Sequence, residues 1–244
     1  MSVPAAVLLD VGGIFFLPDR TRVAAALARA ECEVAADVVD AAHYPAAARF
    51  GVDLDVEADW AGAWRGYLDA YLDACGVPDE RRDDAHQHLD SEFADAALWV
   101  QPVAGAKEAL EALHATGVKL GIVSNADGLM AQRLAEQEIL QVGPGVGVEV
   151  ECVIDSGNVG VMKPDPRIFH LALDAMRVDP ADAWYVGDMP AFDVVGARRA
   201  GLRAFVLSPA ADRHHGDYEV VPSLYAIVDL VRDSTARNSG TPVA

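Results

Sequence analysis

The sequence predicts an α/β protein in which a parallel sheet carries helices on both faces and a helical cap is inserted after the first strand. Three observations carry this expectation. Short apolar runs end repeatedly at polar or glycine-rich turns; from Pro102 onward these runs alternate with amphipathic stretches of helical period; and between Thr21 and Trp99 apolar residues recur at helical spacing alone.

In chain order, Val7–Leu9 reads as a buried strand that ends at Asp10 and opens into a loop at Gly12 and Gly13. The stretches TRVAAALARA, EADWAGAWRGYLDAYLDAC and RRDDAHQHLDSEF are helical. VAGAKEALEALHATG is an amphipathic helix closed by Gly117, followed by the strand VKLGIVSN and the helix GLMAQRLAEQEI. VGVEVECVIDS reads as a strand with its approach, RIFHLALDAMRV as a helix, DAWYVGD as a strand, DVVGARRAG as a helix and LRAFVLS as a final strand. The helical block has no place in a parallel sheet, so it is expected as an insertion over the sheet's C-terminal edge. The resulting division is a core of residues 1–16 and 101–233, a cap over 17–100, and a disordered tail over 234–244, where STARNSGTPVA lacks periodicity.

With 38 acidic and 19 basic residues, the chain carries a formal charge of −19. Such a surface repels phosphate backbones, so nucleic acid is not an expected partner. The chain has no apolar run long enough for a membrane span, and the N-terminal VPAAVLL reads as a strand rather than a leader, so no membrane partner is expected either. Cys32, Cys75 and Cys152 are odd in number and lack metal-site spacing, which suggests buried thiols in a reducing cytoplasm. His86 with His88, and His214 with His215, lack a zinc site's spacing and read as surface residues. Oligomeric state leaves no signature in the sequence.

Four segments bear chemistry: LLDVGG around Asp10, VSNAD around Ser124, MKPDP around Lys163, and VGDMPAFD around Asp188 and Asp193. A carboxylate at a strand's C-terminal edge, followed by glycine, meets a substrate with little steric hindrance. Asp10 alone also reads as a turn residue and Asp193 as a helix N-cap. Converging carboxylates repel unless a divalent cation sits among them, and hard oxygen ligands suit Mg²⁺. Ser124 and Asn125 offer a hydroxyl and an amide to phosphate oxygens near a helix N-terminus, where they could equally be caps. Lys163 supplies positive charge that an acidic protein needs in order to hold an anion.

Together these segments resemble the haloacid dehalogenase-like hydrolases, of the subfamily with a helical cap inserted after the first motif, over nearly the whole chain. The resemblance implies a Rossmann-like core and a hydrolase of phosphoric monoesters. In the family the first motif is usually DxDx[TV], with the first aspartate as covalent nucleophile and the second as general acid and base. By position, Asp10 is then the nucleophile, and Gly12 stands where the acid and base belongs. Ser124 matches the phosphate-binding hydroxyl of the second motif, Lys163 the lysine of the third, and Asp188 and Asp193 the acidic pair of the fourth. The expected assignments are Asp10 and Lys163 as catalytic residues, and Gly12, Gly13, Ser124, Asn125 and Lys163 as phosphate-binding. Asp10, the Gly12 carbonyl, Asp188 and Asp193 are the expected Mg²⁺ ligands. The expected substrate is a small phosphorylated metabolite, with sugar phosphates among the candidates. The alternatives are a dehalogenase acting at carbon and a phosphate-binding protein of low activity.

Glycine at position 12 removes a contribution of about 10²–10⁴-fold, or roughly 3–5 kcal/mol of barrier. Asp19 and Asp127 are the nearest replacements in sequence, and both read more naturally as turn or helix-start residues. In the inserted block, His43, Tyr44 and Arg49 lie in a segment resembling a specificity loop, and Trp64 and Arg65 lie on a helix. Packing is the preferred reading of His43, Tyr44 and Trp64 from sequence.

Overall fold

The computed structural model describes residues 3–51, 53–209 and 218–238. Strand β1 (Ala6–Leu9) leads through a tight loop to the short β2 (Phe16–Pro18). Four helices follow, α1 (Arg20–Arg29), α2 (Ala36–Ala47), α3 (Trp60–Ala74) and α4 (Arg82–Phe93), before β3 (Trp99–Pro102) returns antiparallel to β2. The chain then runs through α5 (Ala106–His114), β4 (Lys119–Ser124), α6 (Met130–Glu136), β5 (Leu140–Val142), β6 (Val148–Val150) and β7 (Cys152–Asp155). It ends with α7 (Ser156–Val159), α8 (Pro166–Met176), β8 (Ala183–Gly187), α9 (Pro190–Arg199), β9 (Arg203–Leu207), β10 (Glu219–Val221) and α10 (Leu224–Asn238).

The main sheet is parallel, with strand order β10-β9-β8-β1-β4-β7. Successive residues of its strands face opposite sides. Val7, Leu9, Leu120 and Ile122 pack with Leu110 and Leu113 of α5 and Ile227 and Val231 of α10. Ala6, Leu8, Val123 and Tyr185 pack on the other face with Phe169 and Leu173 of α8 and Val194 of α9. The strands are therefore buried on both faces, which explains their unbroken apolar runs.

The four helices between β2 and β3 have an apolar cluster of their own, including Leu27, Tyr67, Tyr71 and Leu89, and it extends to Ala191 and Phe192 at the start of α9. The Ala191 N–H donates to the Phe50 carbonyl at 2.7 Å, fixing this helical layer above the C-terminal end of β8.

Two local expectations change. The stretch read as one strand over VGVEVECVIDS breaks at Glu151: β6 pairs with β5 in a separate two-stranded sheet, and β7 alone joins the main one. The expected tail beginning at Ser234 is helical as far as Asn238. The hydroxyls of Ser234 and Thr235 donate to the carbonyls of Leu230 and Val231, four residues back, and Ser234 is buried. Residues 239–244 of the expected tail, and His214 and His215, lie outside the described residues.

Candidate active site

Parallel pairing brings the ends of β1, β4 and β8 level, with Leu9 opposite both Ile122 and Val186. The residues that follow these strands therefore meet at one edge. Asp10 is anchored by its N–H, which donates to the Val186 carbonyl at 2.9 Å. Among the described residues, Asp10, Asp188 and Asp193 form a buried carboxylate cluster whose candidate ligand oxygens lie within 4.8 Å of one another.

Lys163 crosses this cluster. Its Nζ stands 2.7 Å from Asp10 Oδ2 and 2.7 Å from Asp193 Oδ1, and it donates to the Tyr185 hydroxyl at 3.0 Å. Its backbone is held by Asn125: Lys163 N–H donates to Asn125 Oδ1 at 2.7 Å, and Asn125 Nδ2 donates to the Lys163 carbonyl at 3.1 Å. Asn125 thus positions the lysine loop, a role that sequence reasoning did not give it. Ser124 is buried beside it at the end of β4.

Burial pushes the Asp10 carboxyl up to about 7; Lys163 opposes the rise, while Asp193 and Asp188 add to it. Burial works against the Lys163 ammonium, but Asp10 and Asp193 outweigh it and hold its pKa above the usual lysine range. One lysine faces three carboxylates in this buried cluster.

Asp193 is fully enclosed. Its Oδ2 accepts from the backbone N–H groups of Asp188 and Met189 at 3.0 and 2.8 Å, and its Oδ1 accepts from Lys163, with the Tyr185 hydroxyl 2.9 Å away. Asp193 therefore shapes the loop after β8 and orients the lysine.

Asp188 has a partner from the helical layer. Nε2 of His43, in α2, lies 2.6 Å from Asp188 Oδ2, and its Nδ1 lies 3.1 Å from the Tyr67 hydroxyl of α3. Burial raises the Asp188 pKa, and His43 opposes the rise. The next residue, Tyr44, donates its hydroxyl to the Gly13 carbonyl at 2.9 Å. Gly13 has φ +64°, and a Cβ there would stand 2.5 Å from the Asp188 carboxyl, so backbone conformation and space both require glycine. His43 and Tyr44 do pack at the base of the layer, as expected, but they also bond the site loops.

Position 12 faces an aromatic ring. A Cβ on Gly12 would lie 3.4 Å from Cζ3 of Trp99, an ordinary packing distance, so any side chain at position 12 would stand beside the indole. The two replacement acids expected from sequence are engaged elsewhere: Asp19 caps α1, and Asp127 forms paired 2.7 Å bonds to Arg133. Arg49 is exposed at the end of α2, and Arg65 is exposed with Asp69 3.9 Å away. Sequence reasoning also missed Asp155, whose carboxylate accepts from the N–H groups of Gly128, Met130 and Gly157 and ties the loop after β4 to β7. Its signal was the same strand-end position that marked Asp10.

A cavity of about 590 Å³ opens beside Asp10, Ser124, Lys163 and Asp188. Trp60, Trp64, Phe93, Trp99 and Phe192 form much of its wall. Trp64 therefore faces the cavity, whereas the sequence suggested core packing alone.

Comparison with known proteins agrees with this geometry. The chain is 34% identical over 160 residues to haloacid dehalogenase-like hydrolase domain-containing protein 3 of Bos taurus, covering 62% of this chain and 61% of that protein. It is 36% identical over 154 residues to a phosphoserine phosphatase of Thermus thermophilus, covering 62% of this chain and 57% of the relative. The matches thus span about three-fifths of these relatives. The fold resembles that of a hydrolase of the same superfamily from Ehrlichia chaffeensis, with a TM-score of 0.58, 17% identity, and coverage of 96% of this chain and 99% of that one. The sequence profile of the haloacid dehalogenase-like hydrolases matches residues 4–201. A strand-end aspartate bridged by lysine to a second aspartate, on this parallel sheet and under this profile, places the chain in the haloacid dehalogenase-like hydrolase family.

Proposed function

We propose that the protein is a Mg²⁺-dependent phosphatase that hydrolyses a small phosphorylated metabolite through an aspartyl-phosphate at Asp10. The observation that carries this reading is the 2.7 Å contact of Lys163 with both Asp10 and Asp193 beside an open cavity. This geometry keeps a positive charge next to the attacking carboxylate and the anion it attacks. The family includes proteins named as phosphatases, which supports the same chemistry.

In the first step an Asp10 oxygen attacks phosphorus as the bond from phosphorus to the leaving oxygen breaks. Water then attacks phosphorus of the aspartyl-phosphate and breaks its bond to the Asp10 oxygen, so that the carboxylate returns and the water proton leaves with the phosphate. The leaving oxygen, expelled as its anion in the first step, takes its proton from solvent. Lys163 stabilises charge throughout, and Ser124 presents its hydroxyl to a phosphate oxygen. Gly12 can neither donate a proton to the leaving group nor take one from water.

The donor set suits Mg²⁺. Asp10 and Asp188 are hard oxygen ligands in a buried site, and the Gly12 carbonyl completes the family's pattern. Asp193, occupied by Lys163 and two backbone N–H groups, supports the site from behind rather than as a direct ligand. A bound Mg²⁺ would neutralise phosphate charge and favour a pentavalent arrangement at phosphorus.

We read the layer α1–α4, about residues 17–100, as a cap that selects the substrate, over a core of about 1–16 and 101–233. Cys32, Cys75 and Cys152 are buried free thiols, which supports a reducing cytoplasmic setting. The ring of Trp99 over Gly12 favours one second reading, a phosphate-binding protein of low turnover. Hydrolysis of acetyl phosphate and p-nitrophenyl phosphate with and without Mg²⁺, with Asp10→Asn as the control, decides between them. Metal-dependent turnover lost in the variant supports the phosphatase. Phosphate binding without turnover supports the second reading.

A further inference from the structure

We propose that the substrate is a phosphomonoester whose alcohol half is a flat aromatic group without negative charge, and that Trp60 and Trp64 select it. This rests on the phosphomonoester reading of the site and adds the identity of the other half of the molecule.

Helical period creates the aromatic wall. Trp60, Trp64 and Tyr67 stand at i, i+4 and i+7 of α3 and so project from one face. Trp60 and Trp64 are stacked at 5.9 Å with planes 10° apart, and Trp64 stacks on Tyr67 at 5.0 Å and 17°. Phe192 meets Trp60 at 5.7 Å, and Phe93 meets Trp64 at 5.9 Å. Trp60 remains 52% exposed at the wall of the cavity. A flat apolar ring in the cavity would cover it.

Charge narrows the class further. Among the described residues lining the cavity, Lys163 is the sole cation, and Asp10 and Asp193 already engage it; Asp90 adds an acidic group to the wall, while Asp127 there is paired with Arg133. A carboxylate or second phosphate on the substrate would enter an acidic, aromatic space without a free cation to receive it. Bisphosphorylated sugars fit poorly for this reason.

Position 12 supports the same class independently. The site holds an indole against Gly12, where the resembling family usually carries a proton donor, so it combines weak leaving-group protonation with a further aromatic surface. Phenol-like leaving groups depart as stabilised anions and depend less on a proton donor than alkoxides do.

Binding of non-hydrolysable phosphonates tests this without interference from leaving-group reactivity. Dissociation constants would be measured calorimetrically with Mg²⁺ for 2-naphthylmethylphosphonate, ethylphosphonate and the phosphonate analogue of phosphoserine. The naphthyl compound should bind at least about tenfold more tightly than the ethyl compound, and the ratio should fall below about threefold in Trp64→Ala. Trp60→Ala, at a half-exposed position that the fold can lose, should lower the ratio as well. Equal binding of the naphthyl and ethyl compounds, tightest binding of the phosphoserine analogue, or a ratio unchanged in both variants overturns the proposal. Acetyl phosphate turnover is scored separately. If it persists while the aromatic preference is absent, the phosphatase reading stands and this inference falls. Aromatic preference without turnover of any phosphomonoester has the opposite meaning.

Discussion

The indole of Trp99, in β3, stands over Gly12: a Cβ at position 12 would lie 3.4 Å from it. Gly12 is not in the left-handed region, and its Cβ contact is ordinary packing distance. Alanine should therefore be tolerated there with a stability change within about 1 kcal/mol, whereas an aspartate carboxyl would extend beside the ring.

The first prediction follows from that pair. Wild-type log(kcat/KM) should fall steeply as the leaving-group pKa rises across aryl and alkyl phosphates. Gly12→Asp combined with Trp99→Leu should flatten the dependence, because the double substitution supplies the acid and gives it more room. A wild-type slope near zero, with chemistry rate-limiting, would mean that another group supplies the proton.

His43→Ala should destabilise the protein by about 2–3 kcal/mol, because it leaves the buried Asp188 Oδ2 without its partner and opens a cavity. Denaturant unfolding measures this directly. Tyr67→Phe, which removes only the hydroxyl behind the imidazole, should cost about 1 kcal/mol.

Metal-free protein should lose stability as pH rises toward about 7. The Asp10 carboxyl keeps its proton in the folded state up to about 7, well above its ordinary value of 3.8. Between those values the folded state holds more protons than the unfolded state, so this contribution is complete below the ordinary value and is lost as pH passes through about 7. Asp10→Asn should remove that part of the slope in unfolding experiments between pH 5 and 8. Mg²⁺ should bind more weakly at pH 5 than at pH 8, because it competes with the same proton.

Asp188→Ala should weaken Mg²⁺ binding by at least about tenfold, read as the Mg²⁺ concentration for half-maximal activity. Full wild-type activity in excess chelator would remove the metal from the account and favour the dehalogenase alternative.

The core of the site was legible because strand ends are legible. Asp10, Ser124 and Asp188 each close or follow an apolar run, and parallel pairing aligns those ends whatever the loop details. Lys163 and Asp193 were singled out by the four-segment pattern and the family resemblance, although the bonds that hold Asp193 behind the site depend on backbone geometry after β8. His43, Trp64 and Trp99 were not assigned their places, because all three come from the inserted segment. Which face of α2 or α3 meets the sheet edge is decided by packing with Phe50, Ala191 and Phe192, and periodicity leaves that open. The end of α10 was hidden for a local reason: Ser234 and Thr235 look like a helix terminus, but their hydroxyls bond back into the helix.

Covalent catalysis at Asp10 is the central claim, and Asp10→Asn tests it most directly because the amide removes the attacking charge with little change in volume. The measurement is kcat/KM for acetyl phosphate with saturating Mg²⁺, on wild-type and variant proteins shown to be equally folded by circular dichroism. The wild type should hydrolyse it in a metal-dependent way, and the variant should be at least about 10³-fold slower. Retention of more than a few per cent of wild-type activity by the variant would contradict it.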